Sequence, residues 1–315
     1  MHNTLILAPM RGITDKAYRS AFARNFNGFD YAVAPFVAAS ASANMTNKFL
    51  REFDLKNPCL MPTVPQILSN NHEDFVLIAN ALYDAGYKTV NWNLGCPFPM
   101  VVNKNKGSGL LRYPHLIISL LEKSIPLLKC KVSIKMRLGF DAPDAVFQLL
   151  PEFNNFPIEE IVIHPRTAKQ MYTGVTDLDS FEKCLELSKH EIVYNGDIIS
   201  ASQFQELSKR FKIKKWMIGR GALRNPFLPD EIKCGKEIPI EEKYSRLKLF
   251  HDEIFSEYSN KIENKTHILD RMKGQWFYLG SFFENRKKEL KRIKKTSSLK
   301  KYLEETDIIF LNQQK

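Results

Sequence analysis

The sequence predicts an α/β fold, a (β/α)8 TIM barrel followed by a small C-terminal helical bundle domain, on three observations. Eight apolar runs of strand length alternate with amphipathic stretches, and their starts fall roughly 25 to 40 residues apart, the spacing of βα units in a parallel sheet. Nearly every run ends in residues too polar or too special for a core, as expected where barrel strands converge on a C-terminal mouth. Beyond Pro239 the strand-like runs vanish, glycine becomes rare and helical periodicity takes over.

Taken in order, the strand runs are Thr4–Met10, Phe29–Phe36, Cys59–Ile67, Thr89–Cys96, Lys131–Leu138, Glu160–Arg166, Glu191–Ile198 and Lys215–Leu223. The first βα turn, PMRGIT, lacks the G-x-G-x-x-G phosphate fingerprint, which weighs against the alternative topology, an open doubly wound sheet. Helices are expected between the runs. HEDFVLIANALYDAG (His72–Gly86) places Phe75, Ile78, Ala79 and Leu82 on one face and ends at a glycine suited to a C-cap. In the tail, Leu247, Phe250, Ile254 and Tyr258 form an apolar stripe along one helix face. The chain therefore divides into a barrel, 1–238, and a helical basic domain, 239–315.

An apolar fraction of 44% and a charged fraction of 26% are those of an ordinary globular protein. No apolar run approaches the ~20 residues that span a bilayer, and the N-terminus reads as a first strand, not a signal peptide. The five cysteines are odd in number and far apart, with no C-x-x-C pair. That pattern argues against a disulfide framework, a zinc site and an iron–sulfur cluster, and for reduced thiols in the cytoplasm. A net charge of +11 favours a polyanionic partner, with neither a membrane nor DNA expected. The charge is concentrated in RKKELKRIKKTSSLKK (Arg286–Lys301), which carries nine Lys/Arg against one Glu. A solvated helix face is the ordinary explanation of such a run. Its neighbour RMKGQWFYLGSFF interleaves cations with aromatics, however, a pairing suited to phosphates and stacked bases.

The strand ends offer a lysine (Lys135), a histidine (His164), amides (Gln66, Asn93, Asn195), glycine turns and one thiol, Cys96. Paired carboxylates suited to glycoside hydrolysis are missing, whereas Cys96 with His164 leaves a thiol–imidazole nucleophile open. YNGDI and MIGRGAL end the seventh and eighth runs, the corner where barrels commonly bind a phosphate, and Arg220 would supply charge-assisted bonds. A phosphate corner with amides and a lysine around an apolar slot suits flavin mononucleotide.

Six stretches then carry a specific resemblance: LAPMRGITD (Leu7–Asp15), NLGCP (Asn93–Pro97), KMRLG (Lys135–Gly139), HPRTAKQMY (His164–Tyr172), NGDI (Asn195–Ile198) and MIGRGAL (Met217–Leu223). Together, and in this order, the chain resembles the tRNA-dihydrouridine synthases. The resemblance implies an FMN barrel, recharged by NADPH, that reduces the C5–C6 double bond of a uridine in tRNA. It also implies that Pro9, Met10 and Gln66 contact the isoalloxazine, with Lys135 and His164 near its pyrimidine edge. Asn195, Gly196, Asp197, Gly219 and Arg220 would hold the ribityl chain and phosphate. Asn93 would position the flavin or the target uracil, Arg166 and Gln170 would contact the nucleotide, and Arg271 and Lys273 the tRNA body.

Hydride transfer from flavin N5 to uracil C6 leaves carbanion character at C5, and the resemblance makes Cys96 the acid that protonates it. Gly95 permits a tight backbone beside it and Pro97 fixes φ, so the thiol is aimed from a stiff turn. The loop Val102–Gly109, with Lys104 and Lys106, is expected to be flexible and to close over RNA. Arg11 stands where the family more often has a smaller or acidic residue. Two rivals share part of the pattern, a small-molecule flavin reductase and a non-catalytic RNA-binding barrel. A monomer suits an enzyme that must embrace a tRNA.

Overall fold

The computed structural model describes residues 3–38, 52–56, 58–235 and 238–312. Ten strand segments, all parallel, form one sheet. They are β1 (Thr4–Leu7), β2 (Tyr31–Val33), β3 (Val37–Ala38), β4 (Thr63–Val64), β5 (Gln66–Leu68), β6 (Thr89–Leu94), β7 (Lys131–Arg137), β8 (Ile158–His164), β9 (Glu191–Tyr194) and β10 (Lys215–Ile218). The ladder runs β3-β5-β6-β7-β8-β9-β10-β1-β2-β4. Its two ends are continuations of one another. β2 and β3 flank Pro35, β4 and β5 flank Pro65, and proline has no N–H to give a ladder. With each broken pair counted as one strand, β2 pairs with β4, β5 with β6, and β10 with β1, so eight strands close into a barrel.

Every strand read from the sequence is present, but most stop short of the polar end assigned to them. The first ends at Leu7, not Met10, because the Met10 N–H bonds to Thr14 Oγ1 at 2.8 Å instead of to a neighbouring strand. These freed ends turn outward into loops at the barrel mouth. Alternation sets the rest. Leu5, Trp92 and Ile134 point to the outer helices, while Ile6, Val33, Val162, Val193 and Met217 fill the lumen. The lumen is closed at the opposite end by Glu160, which accepts bonds from the Tyr31 hydroxyl (2.9 Å) and Lys215 Nζ (2.8 Å).

Helix α1 (Lys16–Asn25) is capped by Asp15, whose carboxylate accepts from Tyr18 N–H. The tail consists of helices α2 (Ile240–Lys261), α3 (Lys265–Leu279), α4 (Arg286–Lys295) and α5 (Leu299–Leu311). The stripe Leu247, Phe250, Ile254 and Tyr258 is buried, as its periodicity requires, against Tyr18, Phe22 and Phe26 of the barrel. Tail and α1 therefore share one apolar core. Inside the tail, the Tyr302 hydroxyl accepts from Trp276 Nε1 (2.7 Å) and meets His251 Nε2 (2.6 Å), and burial holds His251 below its usual pKa.

The interleaving of cations and aromatics seen in RMKGQWFYLGSFF is a property of the sequence and not of one surface. Helical periodicity sends Trp276 into the core, leaves Phe277 half exposed and turns Tyr278 toward the barrel mouth, while Phe283, beyond the helix, packs on Trp276. Among the described residues, no helix is long and apolar enough to cross a membrane.

Candidate active site at the barrel mouth

A cleft of about 440 Å³ opens at the C-terminal ends of the strands. Its walls come from every side of the barrel, with Pro9 and Met10 after β1, Gln66 on β5, Asn93 and Cys96 at the end of β6, and Lys135 on β7. His164 and Arg166 follow β8, Asn195 to Asp197 follow β9, Gly219 and Arg220 follow β10, and the tail adds Tyr278. Residues scattered over the whole barrel sequence therefore meet at one place.

Cys96 is held by its neighbours' backbone. Asn93 Oδ1 accepts from the N–H groups of both Gly95 (3.1 Å) and Cys96 (2.9 Å), and Asn93 Nδ2 donates to Gln66 Oε1 (2.7 Å). Gln66 in turn donates to Asn91 Oδ1 and Asn91 to Ser133 Oγ, a buried amide chain running back into the barrel. Arg137 clamps the same turn by donating Nε to Gly95 O (2.9 Å) and Nη1 to Thr167 O (2.7 Å). Burial pushes the Cys96 thiol up from its usual pKa, and the Phe98 N–H and the cations Arg11, Arg137 and Lys135 only partly offset this. The group is a protonated thiol at neutral pH, packed against Leu68 and Val101.

The stretch Val102–Gly109 corrects the expectation of a flexible lid. Ser108 donates both its N–H (3.1 Å) and its hydroxyl (2.9 Å) to Cys96 O, and Gly107 to Leu111 are buried in a tight helical turn. Gly107 adopts φ +58°, and a Cβ there would lie 2.8 Å from Cys96 O. Gly107→Ala is accordingly expected to cost about 1–3 kcal/mol and to displace the thiol. Thermal melting together with thiol alkylation rates would check both effects. Only Asn103 to Asn105 stay exposed, so Lys104 reaches solvent while Lys106 is half-buried, and neither lines the cleft.

Beside Cys96, beginning on the neighbouring strand β7, lies a cluster of basic groups. Burial, reinforced by Arg137, lowers the Lys135 pKa to about 7, and no carboxylate among the described residues pairs with its ammonium. Burial also holds His164 well below its usual pKa, with Arg137, Lys135, Arg166 and Arg220 adding repulsion. His164 is therefore neutral. Its Nε2 accepts from Arg166 Nη1 (3.2 Å), which leaves the proton on Nδ1.

Burial alone would raise the Asp197 carboxyl, but bonds from Arg166 Nη2 (2.5 Å) and Arg220 Nη2 (2.6 Å) outweigh it and hold it below the usual range. The Tyr172 ring has the guanidinium groups of Arg137 and Arg220 at 5.3 and 4.9 Å from its centroid, and stacks on His164. Gly196 sits where a Cβ would strike the Tyr194 hydroxyl, so only glycine fits there. Asn195 donates to Met217 O (2.9 Å).

Several residues read from the sequence as nucleotide contacts are engaged inside the protein. Arg166 is fully buried, with its donors spent on His164, Thr173 O, Gly174 O and Asp197. Gln170 Oε1 accepts Thr167 N–H, and its side chain lies outside the cleft. Arg271 pairs with Asp15 (3.1 Å), and Lys273 donates to Thr296 O (2.6 Å) at the end of α4. The clamp formed by Arg137 and the cleft position of Tyr278 carried no assignment in the sequence. Arg137 is legible as a polar strand end, two residues from Lys135 on the same strand face, but not as a clamp. Among the described residues, no group of three or more His, Cys, Asp or Glu side chains could hold a metal ion.

A closed parallel barrel whose mouth gathers a buried thiol, a lysine, a histidine and arginines from several strands has its polar groups where active sites of this fold class lie. The dihydrouridine synthase family model matches residues 6–309, and the chain belongs to that family. A probable tRNA-dihydrouridine synthase from Rhizobium leguminosarum bv. phaseoli is 30% identical over 72% of this chain and 71% of its own. One from Rickettsia bellii (strain RML369-C) is 28% identical over 78% and 77%. The tRNA-dihydrouridine synthase B of Pseudomonas putida is 28% identical over 77% and 72%. Among solved structures, histamine dehydrogenase from Rhizobium sp. 4-9 superposes with a TM-score of 0.55 at 10% identity, covering 78% of this chain and 49% of its own. At that identity the likeness concerns the fold.

Proposed function

We propose that the protein reduces the C5–C6 double bond of a uridine in tRNA to dihydrouridine, using FMN recharged by NADPH, with Cys96 as the proton donor. The observation that carries this reading is the Cys96 turn, whose backbone is clamped by Asn93, Arg137 and Ser108 so that the thiol lines the cleft, where burial keeps it protonated. The cleft's donor set fits FMN. Lys135 presents an ammonium with no carboxylate partner, suited to an electron-rich ring edge, and Arg220 is the charged donor of a phosphate corner. Pro9, Met10 and Gln66 would flank the ring, and Asn195, Gly196, Asp197 and Gly219 the ribityl and phosphate.

Bound there, FMN would supply the hydride that C6 of uracil accepts. The chain's own residues do the rest. Cys96 delivers a proton from Sγ to C5, the neutral His164 offers its Nδ1–H as a donor, and the buried walls exclude water from the reacting edge. The uracil has to leave its stack to enter a cleft of this depth, so the RNA must be held from outside. The exposed lysines 287, 288, 291, 294 and 295 of α4 carry no ion-pair partner among the described residues and suit its phosphates.

The test is nucleoside mass spectrometry on tRNA lacking dihydrouridine, incubated with the protein, FMN and NADPH. A two-hydrogen increment on uridine is expected. An FMN-loaded protein that yields none would overturn the reading.

A further inference from the structure

The rim of the cleft on the Cys96 side carries a feature that the reaction at the thiol leaves unused. Arg11 is exposed, and its guanidinium lies 5.6 Å from the Phe36 ring centroid and 3.2 Å from Met100 Sδ. No carboxylate among the described residues pairs with it. Beside it Phe98 and Met100 are 42% and 63% exposed, immediately beyond the Cys96–Pro97 turn. Leu77 and Leu127, also exposed, lie on outer helices away from the mouth, while Ile199 after β9 lines the cleft with no unpaired cation beside it among the described residues. Here two apolar groups and an aromatic ring flank one unpaired cation at the entrance to the cleft.

We propose that Arg11, with Phe36 and the Phe98–Met100 rim, forms a subsite for the nucleotide next to the reactive uridine. The proposal rests on the RNA reading above. Arg11 holds the phosphodiester that joins the two nucleotides, and the neighbouring base covers Phe98 and Met100. A single-stranded nucleotide presents both an anion and an apolar face, and this rim offers the complement of each. A guanidinium already held by a thioether sulfur beside an aromatic ring is partly pre-organised, so less side-chain freedom is lost when it binds a phosphate oxygen. Arg11 is thus a positioning and specificity residue, and it donates no proton.

The experiment compares the wild type with Arg11→Ala, Arg11→Lys and Phe98→Ala on unmodified tRNA, as FMN holoenzymes. Arg11→Ala is expected to raise KM about tenfold with kcat within about twofold. It should also make the plot of log affinity against log salt shallower by about 0.7 to 0.9, one phosphate contact. Arg11→Lys should restore the salt slope, and Phe98→Ala should raise KM with the slope unchanged. Arg11 also lowers the Cys96 pKa slightly, so an alternative role has its own signature. A shifted pH profile of kcat with KM unaltered would overturn the subsite, as would a wild-type KM and slope in Arg11→Ala. A wild type that binds tRNA yet reduces no uridine would instead be a failure of the reading of function beneath it.

Discussion

Cys96→Ala is expected to lower uridine reduction by roughly 10²- to 10⁴-fold, the range over which a positioned general acid contributes. FMN binding should be nearly unchanged, because the Cys96 turn is held through its backbone by Asn93, Ser108 and the Arg137–Gly95 bond, none of which uses the sulfur. Folding should also survive, since the side chain is small and faces the cleft. The pH profile gives a second reading of the same residue. An acid acts only while protonated, and burial raises this thiol above its usual range. Activity should therefore persist through pH about 8.5, where an ordinary thiol is half ionised, and fall only above it. Single-turnover rates across that window would decide the matter. A Cys96→Ala enzyme with wild-type rate would remove the thiol from the reaction.

Lys135→Met is expected to act in two opposite directions. With its pKa lowered to about 7 by burial and Arg137, the folded protein releases a proton that the unfolded chain keeps until pH about 10.4. Between those values the unfolded state binds more protons, so stability due to this group rises with pH and falls as pH drops from about 10 toward 7. Replacing the lysine with an apolar chain of similar length should remove that slope and stabilise the ligand-free protein at pH 7, by about 2 to 4 kcal/mol. The same change should weaken FMN binding by about tenfold or more, since it deletes a cleft lysine that has no carboxylate partner among the described residues. Denaturant midpoints at pH 7 and pH 10, with flavin fluorescence titrations, would measure both. Equal midpoint slopes in wild type and variant would show that Lys135 is solvated and not desolvated. A trade of stability for binding is what a pre-formed charged cleft entails.

Much of this arrangement was legible along the chain. The strand count follows from apolar runs punctuated by glycine and proline, and closure of the barrel requires only that the eighth run, beginning at Lys215, return to the first at Thr4. The special place of Cys96 was legible as well. A cysteine between Gly95 and Pro97 at the end of a strand has little backbone freedom, and a stiff turn is local chemistry. The tail stripe from Leu247 to Tyr258 was similarly given by period alone.

What the linear order does not contain is where each polar group finds its partner. Arg166 looks free in HPRTAKQMY, yet it is neutralised by Asp197, 31 residues later. Arg271 is answered by Asp15 across 256 residues, and Lys273 by the carbonyl of Thr296. The Gly-Ser-Gly turn reads as a mobile loop until Ser108 is seen bonding to Cys96 O. Periodicity tells which face of an element a residue occupies, a matter of a few bond rotations. By itself the sequence determined the barrel, the helical tail and the thiol's turn. Only the tertiary structure decided which cations remain unpaired at the mouth, because hydrogen bonds and ion pairs act over a few ångströms between residues that only folding brings together.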